Sequence, residues 1–252
     1  MNLFLSCFLL VLSVSASYAQ NLSREQQIAI LQFIEAVKNN DSERVLSGVT
    51  YPFNRLYPLP DVKDKPDFLR RYHEILDDSL RSVIVRSVPS EDWADMGWRG
   101  LMLHNGLVWL DDKGSLMSIN NLSDAERTQR NRLIIHEKNA LHPSVRDFMS
   151  PLHLFKTKKF SIRIDEMPDG SLRYASWNVR AKAGEKPDLI IPFGKYLPEG
   201  SGGNLRYVFT NGDYTYECSF FVISDANRLS ANLSGFHQDK KILSQKAVYI
   251  KN

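Results

Sequence analysis

The spacing of apolar residues is helical near the start of the chain and alternating near its end, so the pattern predicts both helices and strands. After Ser23, apolar residues recur at helical spacing, at positions that include Ile30, Phe33 and Ile34. Ser23 and Gln26 form a capping-box pair before this stretch, which predicts the start of the first helix. The polar run at residues 38–43 ends it.

A proline-rich segment and a second helical stretch follow. Residues 51–66 contain four prolines, which predicts an extended or turning segment because proline disfavours a helix interior. From about Pro66 the helical spacing returns and predicts a second helix with one apolar face, formed by Phe68, Tyr72, Ile75, Leu76, Leu80 and Val83.

Two turn signals then predict an antiparallel meander. Asn105-Gly106 is a strong two-residue hairpin signal, and a tighter turn is predicted at residues 112–114. Pairing across Asn105-Gly106 places three pairs of residues opposite one another: Leu103 and Val108, Met102 and Trp109, Leu101 and Leu110. Helix, proline segment, helix and meander together predict an α+β module.

A second capping box, Ser123 with Glu126, predicts a charged helix through about Asn139 with one narrow apolar stripe. From about Phe155 the apolar spacing becomes two, and a Pro-Asp-Gly turn at residues 168–170 predicts a strand on either side. The fold class is therefore α+β, with four predicted parts: a signal peptide at 1–19, an α+β domain at 20–122, a connector helix and linker at 123–149, and a mainly antiparallel β-domain, sandwich or barrel, at 150–252.

The glycine-rich run at residues 200–204 looks like a phosphate cradle. It lacks the lysine and hydroxyl residues of a P-loop, and no helix follows it, so we interpret it as a sharp turn into a hairpin, with a backbone nest for an anion as the alternative. Asn211-Gly212 predicts the register of that hairpin. Its apolar face pairs Phe209 with Tyr214, Tyr207 with Tyr216 and Leu205 with Cys218, and its polar face pairs Thr210 with Asp213, Val208 with Thr215 and Arg206 with Glu217.

Charge and composition indicate where the protein is located and which partners it is expected to bind. Lysine and arginine outnumber the acids by 32 to 29, and no basic run is interleaved with aromatics, so nucleic acid is not an expected partner. Residues 1–19 carry no charge and end in the small-residue pattern Ser17-Tyr18-Ala19. This pattern predicts a signal peptide cleaved before Gln20 and export to the periplasm or beyond, with a short uncleaved anchor as the alternative.

The two cysteines lead to two further expectations. The apolar run follows Cys7 and does not precede it, which argues against a lipoprotein. Once the leader is removed, Cys218 is the only cysteine, so no disulfide forms within the chain. Its place on the apolar face of the predicted hairpin indicates a buried, inert thiol.

The "YPF" strand at residues 51–53, the "FLRRYHEILDD" helix at 68–78 and the "NGLVWLD" strand pair at 105–111 resemble an NTF2-like, cone-shaped α+β module of exported bacterial proteins. Most of residues 25–250 is similar to two-domain proteins of Bacteroidetes-type bacteria. The resemblance implies a helix-plus-curved-sheet domain, followed by a β-domain, in the bacterial envelope. It transfers no catalytic residue, because NTF2-like folds serve enzymes, binding proteins and scaffolds alike.

The motifs that carry chemistry give no convincing active centre. His73 and Asp77 are spaced as ligands on one helix, but they lean towards its exposed face. His136 and His142 are two residues too far apart for the HExxH zinc pattern. No GxSxG elbow is present. The sequence therefore predicts no metal, no cofactor and no catalytic residue.

The remaining candidate is an apolar pocket inside the cone, a common kind of ligand site. Its predicted lining is mainly aromatic, with a histidine and an aspartate as polar groups: Tyr51, Phe53, Tyr57, Trp93, Trp98, His104, Trp109 and Asp111. The competing interpretation is that these aromatics are simply core.

Three functions remain open on the sequence. The first is a non-catalytic exported protein that binds a small molecule, a glycan or an envelope protein, with a homodimer among the assemblies considered. The second is a small enzyme with an Asp or His general base in the cone. The third is a secreted inhibitor or immunity-type protein.

Overall fold

A computed structural model describes residues 22–199, 204–221 and 230–249. The predicted signal peptide and residues 200–203 of the glycine-rich run lie outside these ranges. The described chain is mixed α+β, with helices, a four-stranded antiparallel sheet and an eight-stranded antiparallel sheet. In this part of the chain no helix is long and apolar enough to cross a membrane.

The described helices are α1 Arg24–Lys38, α2 Ser42–Val45, α3 Lys65–Ile75, α4 Asp78–Arg86, α5 Pro89–Asp92 and α6 Asp124–Ala140, with a 3-10 turn at Gly97–Arg99. The small sheet contains β1 Trp93–Asp95, β2 Leu101–Leu103, β3 Val108–Leu110 and β4 Leu116–Ile119. The large sheet contains β5 Ser150–Lys156, β6 Phe160–Glu166, β7 Leu172–Asn178, β8 Leu189–Glu199, β9 Asn204–Asn211, β10 Tyr214–Phe221, β11 Ser230–His237 and β12 Lys240–Tyr249.

Helices α1, α3 and α4 pack with the small sheet around one apolar core. The capping box predicted at Ser23 and Gln26 is present, and α1 buries Ile30, Phe33 and Ile34 against that core. The single second helix predicted from Pro66 is wrong, because the chain breaks after α3. The Asp77 carboxylate accepts a hydrogen bond from the Leu80 amide, and Asp77 is therefore the N-cap of a new helix, α4.

The register predicted for the first hairpin is confirmed. Leu101 faces Leu110, Met102 faces Trp109 and Leu103 faces Val108. The four leucine and valine side chains among these residues are fully buried, whereas Met102 and Trp109 lie half-exposed on the other face. The alternation therefore turns one face of the small sheet towards the helices.

The eight strands of the large sheet curl into a barrel in which β5 to β12 pair in chain order. The ring closes through a staggered contact of two residue pairs between β12 and β5, Val248 with Lys156 and Tyr249 with Phe155. Inward-facing side chains fill the centre with apolar and aromatic groups, including Phe155, Tyr174 and Phe209. The barrel interior is therefore a packed core.

The outer face of β6 and β7 is covered as well. Alternation sends Ile162 and Ile164 inward, and it turns Arg163 and Asp165 outward beneath α6 and the linker that follows it. Ile134 of α6 and the linker residues pack there with Ala175 and Trp177 of β7. This part of the sheet is buried on both faces, and its outward polar residues must find partners inside the protein.

The register predicted for the second hairpin is wrong. Tyr216 faces Phe209 and Cys218 faces Tyr207, two positions away from the prediction. The turn residues are Gly212 and Asp213, not Asn211 and Gly212. Gly212 has a φ of +57° as the first central residue, which is where a type II′ turn requires glycine. A slip of two keeps every side chain on its predicted face.

Candidate functional site

A pocket of about 310 Å³ lies between helix α6, the proline-rich segment and the outer face of β5, β6 and β7. Its wall is mainly apolar, formed by Ala140, Leu141, Leu154, Trp177, Ala181 and Ala183. Its polar lining consists of Tyr57, His136, Glu137, Lys156, Ser161 and Arg163. The volume lies at the small end of the range of small-molecule sites.

Glu137 is the fixed carboxylate of this pocket. The Tyr57 hydroxyl donates to its Oε1 at 2.5 Å, and Arg163 Nη1 donates to its Oε2 at 2.9 Å. The side chain of Glu137 keeps 20% of its surface exposed, whereas that of Arg163 keeps 3%. Three distant parts of the chain therefore hold one partly accessible carboxylate in a single orientation.

A second layer of charge lies beneath the pocket. Arg163 Nε donates to Asp165 Oδ1 at 2.7 Å, and Arg173 Nη2 donates to Asp165 Oδ2 at 2.8 Å. Arg173 also donates to the carbonyl oxygens of Val145 and Asp147, in the linker after α6. The linker is thus tied to the barrel by a buried ionic group, in which Arg163 Nη2 and Arg173 Nε have no hydrogen-bond partner among the described residues.

The electrostatics of this layer keep Arg163 charged. Burial alone would lower the pKa of Arg163, but the neighbouring carboxylates of Asp165 and Glu137 raise it above its usual value. Burial raises the pKa of Asp165, opposed by the two guanidinium groups. Arg163 also lies over the Phe148 ring, 4.4 Å from its centroid.

Tyr57 is held in place from the opposite side. The residue is 2% exposed, and its carbonyl oxygen accepts from Arg130 Nε at 2.8 Å. Arg130 Nη2 in turn donates to the Ser150 hydroxyl at the start of β5. The first turns of α6 are fixed by another buried pair, in which the Arg55 guanidinium donates twice to the Glu126 carboxylate, at 2.8 and 2.5 Å.

The structure distributes the eight residues of the predicted cone pocket over different environments. Tyr57 is the one that lines the pocket described above. Phe53 is buried against the Phe68 ring, and Trp93 is buried with its indole nitrogen bound to the Ser87 hydroxyl. Tyr51 is half-buried at the edge of the same core.

The other four residues lie at the surface or close to it. Trp98 is 64% exposed, and Trp109 is half-buried beneath the Arg99 guanidinium. The His104 ring lies 3.7 Å from the Asp92 carboxylate. Asp111 Oδ1 accepts from the amides of Lys113 and Ser115, which gives it a role in the turn. Ligand binding inside the cone stays a prediction.

The remaining sequence motifs are placed as follows. His73 is exposed on α3 and Asp77 caps α4, so the two do not share a helix. Among the residues that the structure describes, no cluster of His, Cys, Asp or Glu could hold a metal ion. Cys218 is fully buried, and burial raises the pKa of its thiol. As expected, it is not placed to act as a nucleophile.

Sequence reasoning missed Glu137 and Arg163. They are separated by 26 residues, and neither belongs to a recognisable motif. One signal was available, since Arg163 and Asp165 alternate with Ile162 and Ile164 in a strand. Outward charges beside a helix that has a narrow apolar stripe are candidates for burial beneath that helix.

Comparison of the chain with protein-family profiles, with curated proteins and with solved structures found no match, so the geometry of the site carries its interpretation.

Proposed function

We propose that this chain is a non-catalytic binding protein of the bacterial envelope that holds a small, mainly apolar molecule in the pocket beneath α6. The observation that carries the proposal is the apolar pocket of about 310 Å³ with the fixed Glu137 carboxylate at its edge. Both oxygens of this carboxylate already accept hydrogen bonds. A carboxylate held in this way is poorly placed to abstract a proton, which supports binding over catalysis.

Two finer assignments belong to the same proposal. The uncharged, apolar composition of residues 1–19 supports export and cleavage before Gln20. The order of the long helix α1, the four shorter helices α2 to α5 and a four-stranded antiparallel meander supports an NTF2-like relationship for the first domain. N-terminal sequencing of protein recovered from a bacterial envelope fraction tests the first assignment, and a mature chain beginning at Met1 would contradict it.

The pocket is tested with the neutral fluorescent probe N-phenyl-1-naphthylamine. Ala140 lines the pocket at the end of α6, and Ala125 is exposed at the other end of the same helix. We expect saturable fluorescence enhancement in the wild type and in Ala125→Phe, and its loss in Ala140→Phe, because the phenyl group occupies the cavity. Equal enhancement in Ala140→Phe would overturn the assignment.

A further inference from the structure

We infer that the pocket beneath α6 selects an amphipathic anion, a small carboxylate with an apolar body, whose charged group is bound by Lys156 and Ser161. The inference rests on the proposed function and adds the chemical class of the ligand. Lys156 and Ser161 both line the pocket, at the end of β5 and the start of β6. They lie on facing strands as a register pair.

The charges around the pocket leave Lys156 as the accessible counter-ion. Arg163 and Arg173 are matched by the carboxylates of Glu137 and Asp165 in the buried layer. The structure shows no ion pair or hydrogen bond for the Lys156 ammonium within the described residues. Lys158 and Lys159 follow in the same β5–β6 turn and are also exposed. The potential at this side of the pocket is therefore positive.

The other elements that face the pocket do not reverse the positive sign of the potential. From α6, the Glu137 carboxylate is paired with the Arg163 guanidinium at 2.9 Å. The carboxyl end of α6 would disfavour an anion. The Arg146 guanidinium lies at this end of the helix, where its Nη2 donates to the carbonyl oxygen of the C-cap residue Leu141 at 3.0 Å, and its positive charge offsets this effect. The loop after β7 contributes only the methyl groups of Ala181 and Ala183 to the wall.

The pocket lining has separate apolar and polar parts, which suits an amphipathic ligand. Ala140 and Leu141 at the end of α6 and Leu154 and Trp177 of the barrel form the apolar part, and Lys156 and Ser161 lie where β5 meets β6. A ligand of this class buries its hydrocarbon part against Leu154 and Trp177 while its carboxylate keeps partial contact with water. Charge-assisted hydrogen bonds to Lys156 and Ser161 then supply the selectivity.

The test uses three molecules with the same tail, octanoate, octanol and octylamine, each displacing N-phenyl-1-naphthylamine at pH 7. We expect octanoate to displace the probe at a concentration at least about tenfold lower than octanol does, and octylamine to be the weakest. Lys156→Gln should remove the advantage of octanoate and leave displacement by octanol unchanged. Lys158→Gln removes a charge from the same turn, outside the pocket lining, and should keep most of that advantage.

The outcomes separate the two proposals. If the neutral probe binds but octanoate competes no better than octanol, the carboxylate inference is wrong and the pocket assignment stands. If Lys156→Gln and Lys158→Gln reduce the advantage equally, the effect is a general surface potential, and the inference is again wrong. If the probe binds equally well to Ala140→Phe, the proposed function itself fails.

Discussion

Removal of the charge of Glu126 should be one of the most costly single changes in this protein. Glu126 and Arg55 have side-chain exposures of 0% and 1% and make two direct hydrogen bonds. Glu126 also lies 3.9 Å from the guanidinium of Arg71, itself only 14% exposed. Glu126→Gln keeps the shape of the side chain and leaves these arginines without their buried counter-charge.

The expected magnitude follows from burial. Breaking a buried ion pair by neutralising one partner costs about 3–5 kcal/mol, because the remaining charge stays desolvated. The glutamine oxygen still accepts from Arg55, so we expect the lower end, about 3 kcal/mol. Glu43→Gln is the matched control. Glu43 pairs with Lys65 at 2.6 Å, but these side chains are 67% and 40% exposed, so its loss should cost at most about 1 kcal/mol.

The assay is equilibrium unfolding in urea at pH 7, followed by tryptophan fluorescence and by far-ultraviolet circular dichroism. Trp93 lies in the apolar core between the small sheet and helices α1, α3 and α4, and it reports on that part of the molecule. Coincidence of the two probes is required before free energies are compared, because the separate apolar cores of the small sheet and of the barrel need not unfold in one step. A loss of stability in Glu126→Gln no larger than that in Glu43→Gln would refute the reasoning.

A double variant separates charge from hydrogen bonding. Arg55 also donates to the carbonyl oxygens of Ile119 and Asn121. Arg55→Met with Glu126→Leu removes both charges but leaves these carbonyls without that donor, at about 1–3 kcal/mol for each unsatisfied buried group. The double variant should therefore recover only part of the stability lost in Glu126→Gln.

Two further predictions concern the backbone and alkaline pH. Gly100→Ala should lower the free energy of unfolding by at least about 3 kcal/mol, because a Cβ would lie 2.2 Å from the Leu110 carbonyl oxygen at a φ of +93°. In the control Gly97→Ala the new Cβ meets no atom within 4 Å, so the loss should be about 1–2 kcal/mol. Similar melting temperatures for the two variants would contradict this. Burial, with Tyr196 and Glu166, raises the pKa of Tyr207 to about 12, and burial raises that of Cys218. These groups lose their protons at lower pH when unfolded, so the contribution of Cys218 is complete below about pH 9 and that of Tyr207 below about pH 10. Above these values, and up to the folded pKa, each contribution falls by about 1.4 kcal/mol per pH unit. Cys218→Ala should reduce this slope in urea titrations between about pH 9 and 11, and an unchanged slope would exclude the thiol.

Local signals in the sequence predicted the local structure well. The capping boxes at Ser23 and Ser123 both start the helices expected of them. The Asn105-Gly106 signal predicted the pairing of β2 and β3 correctly. Each of these interactions spans only a few residues, so the residues of that short segment determine the local structure.

The second Asn-Gly pair shows that such a signal predicts a hairpin but not its register. Both Asn105-Gly106 and Asn211-Gly212 predict a hairpin, and both stretches form one. Gly212, however, is the first central residue of its turn. The dipeptide alone does not fix which two residues form the loop, whereas alternation fixes the faces. The faces were therefore predictable, and the register was not.

The candidate site was the least predictable part of the molecule. Tyr57 was identified, but for a cone pocket and not for its bond to Glu137, 80 residues away in the chain. Arg55 and Glu126 are 71 residues apart. Such pairs exist because packing brings outward-facing charges of a strand and a helix together, and no local pattern encodes the partner.

The two buried ionic groups together determine how helix α6 presents the pocket. Near its start, Glu126 is fixed to Arg55 of the proline-rich segment, and near its end Glu137 is fixed to Tyr57 of that same segment and to Arg163 of the barrel. Rotation or sliding of α6 would break ion pairs at both ends at once. The pocket walls are therefore set before a ligand arrives, so binding is not opposed by the entropy of ordering them. A modest apolar surface with one exposed lysine can then bind selectively.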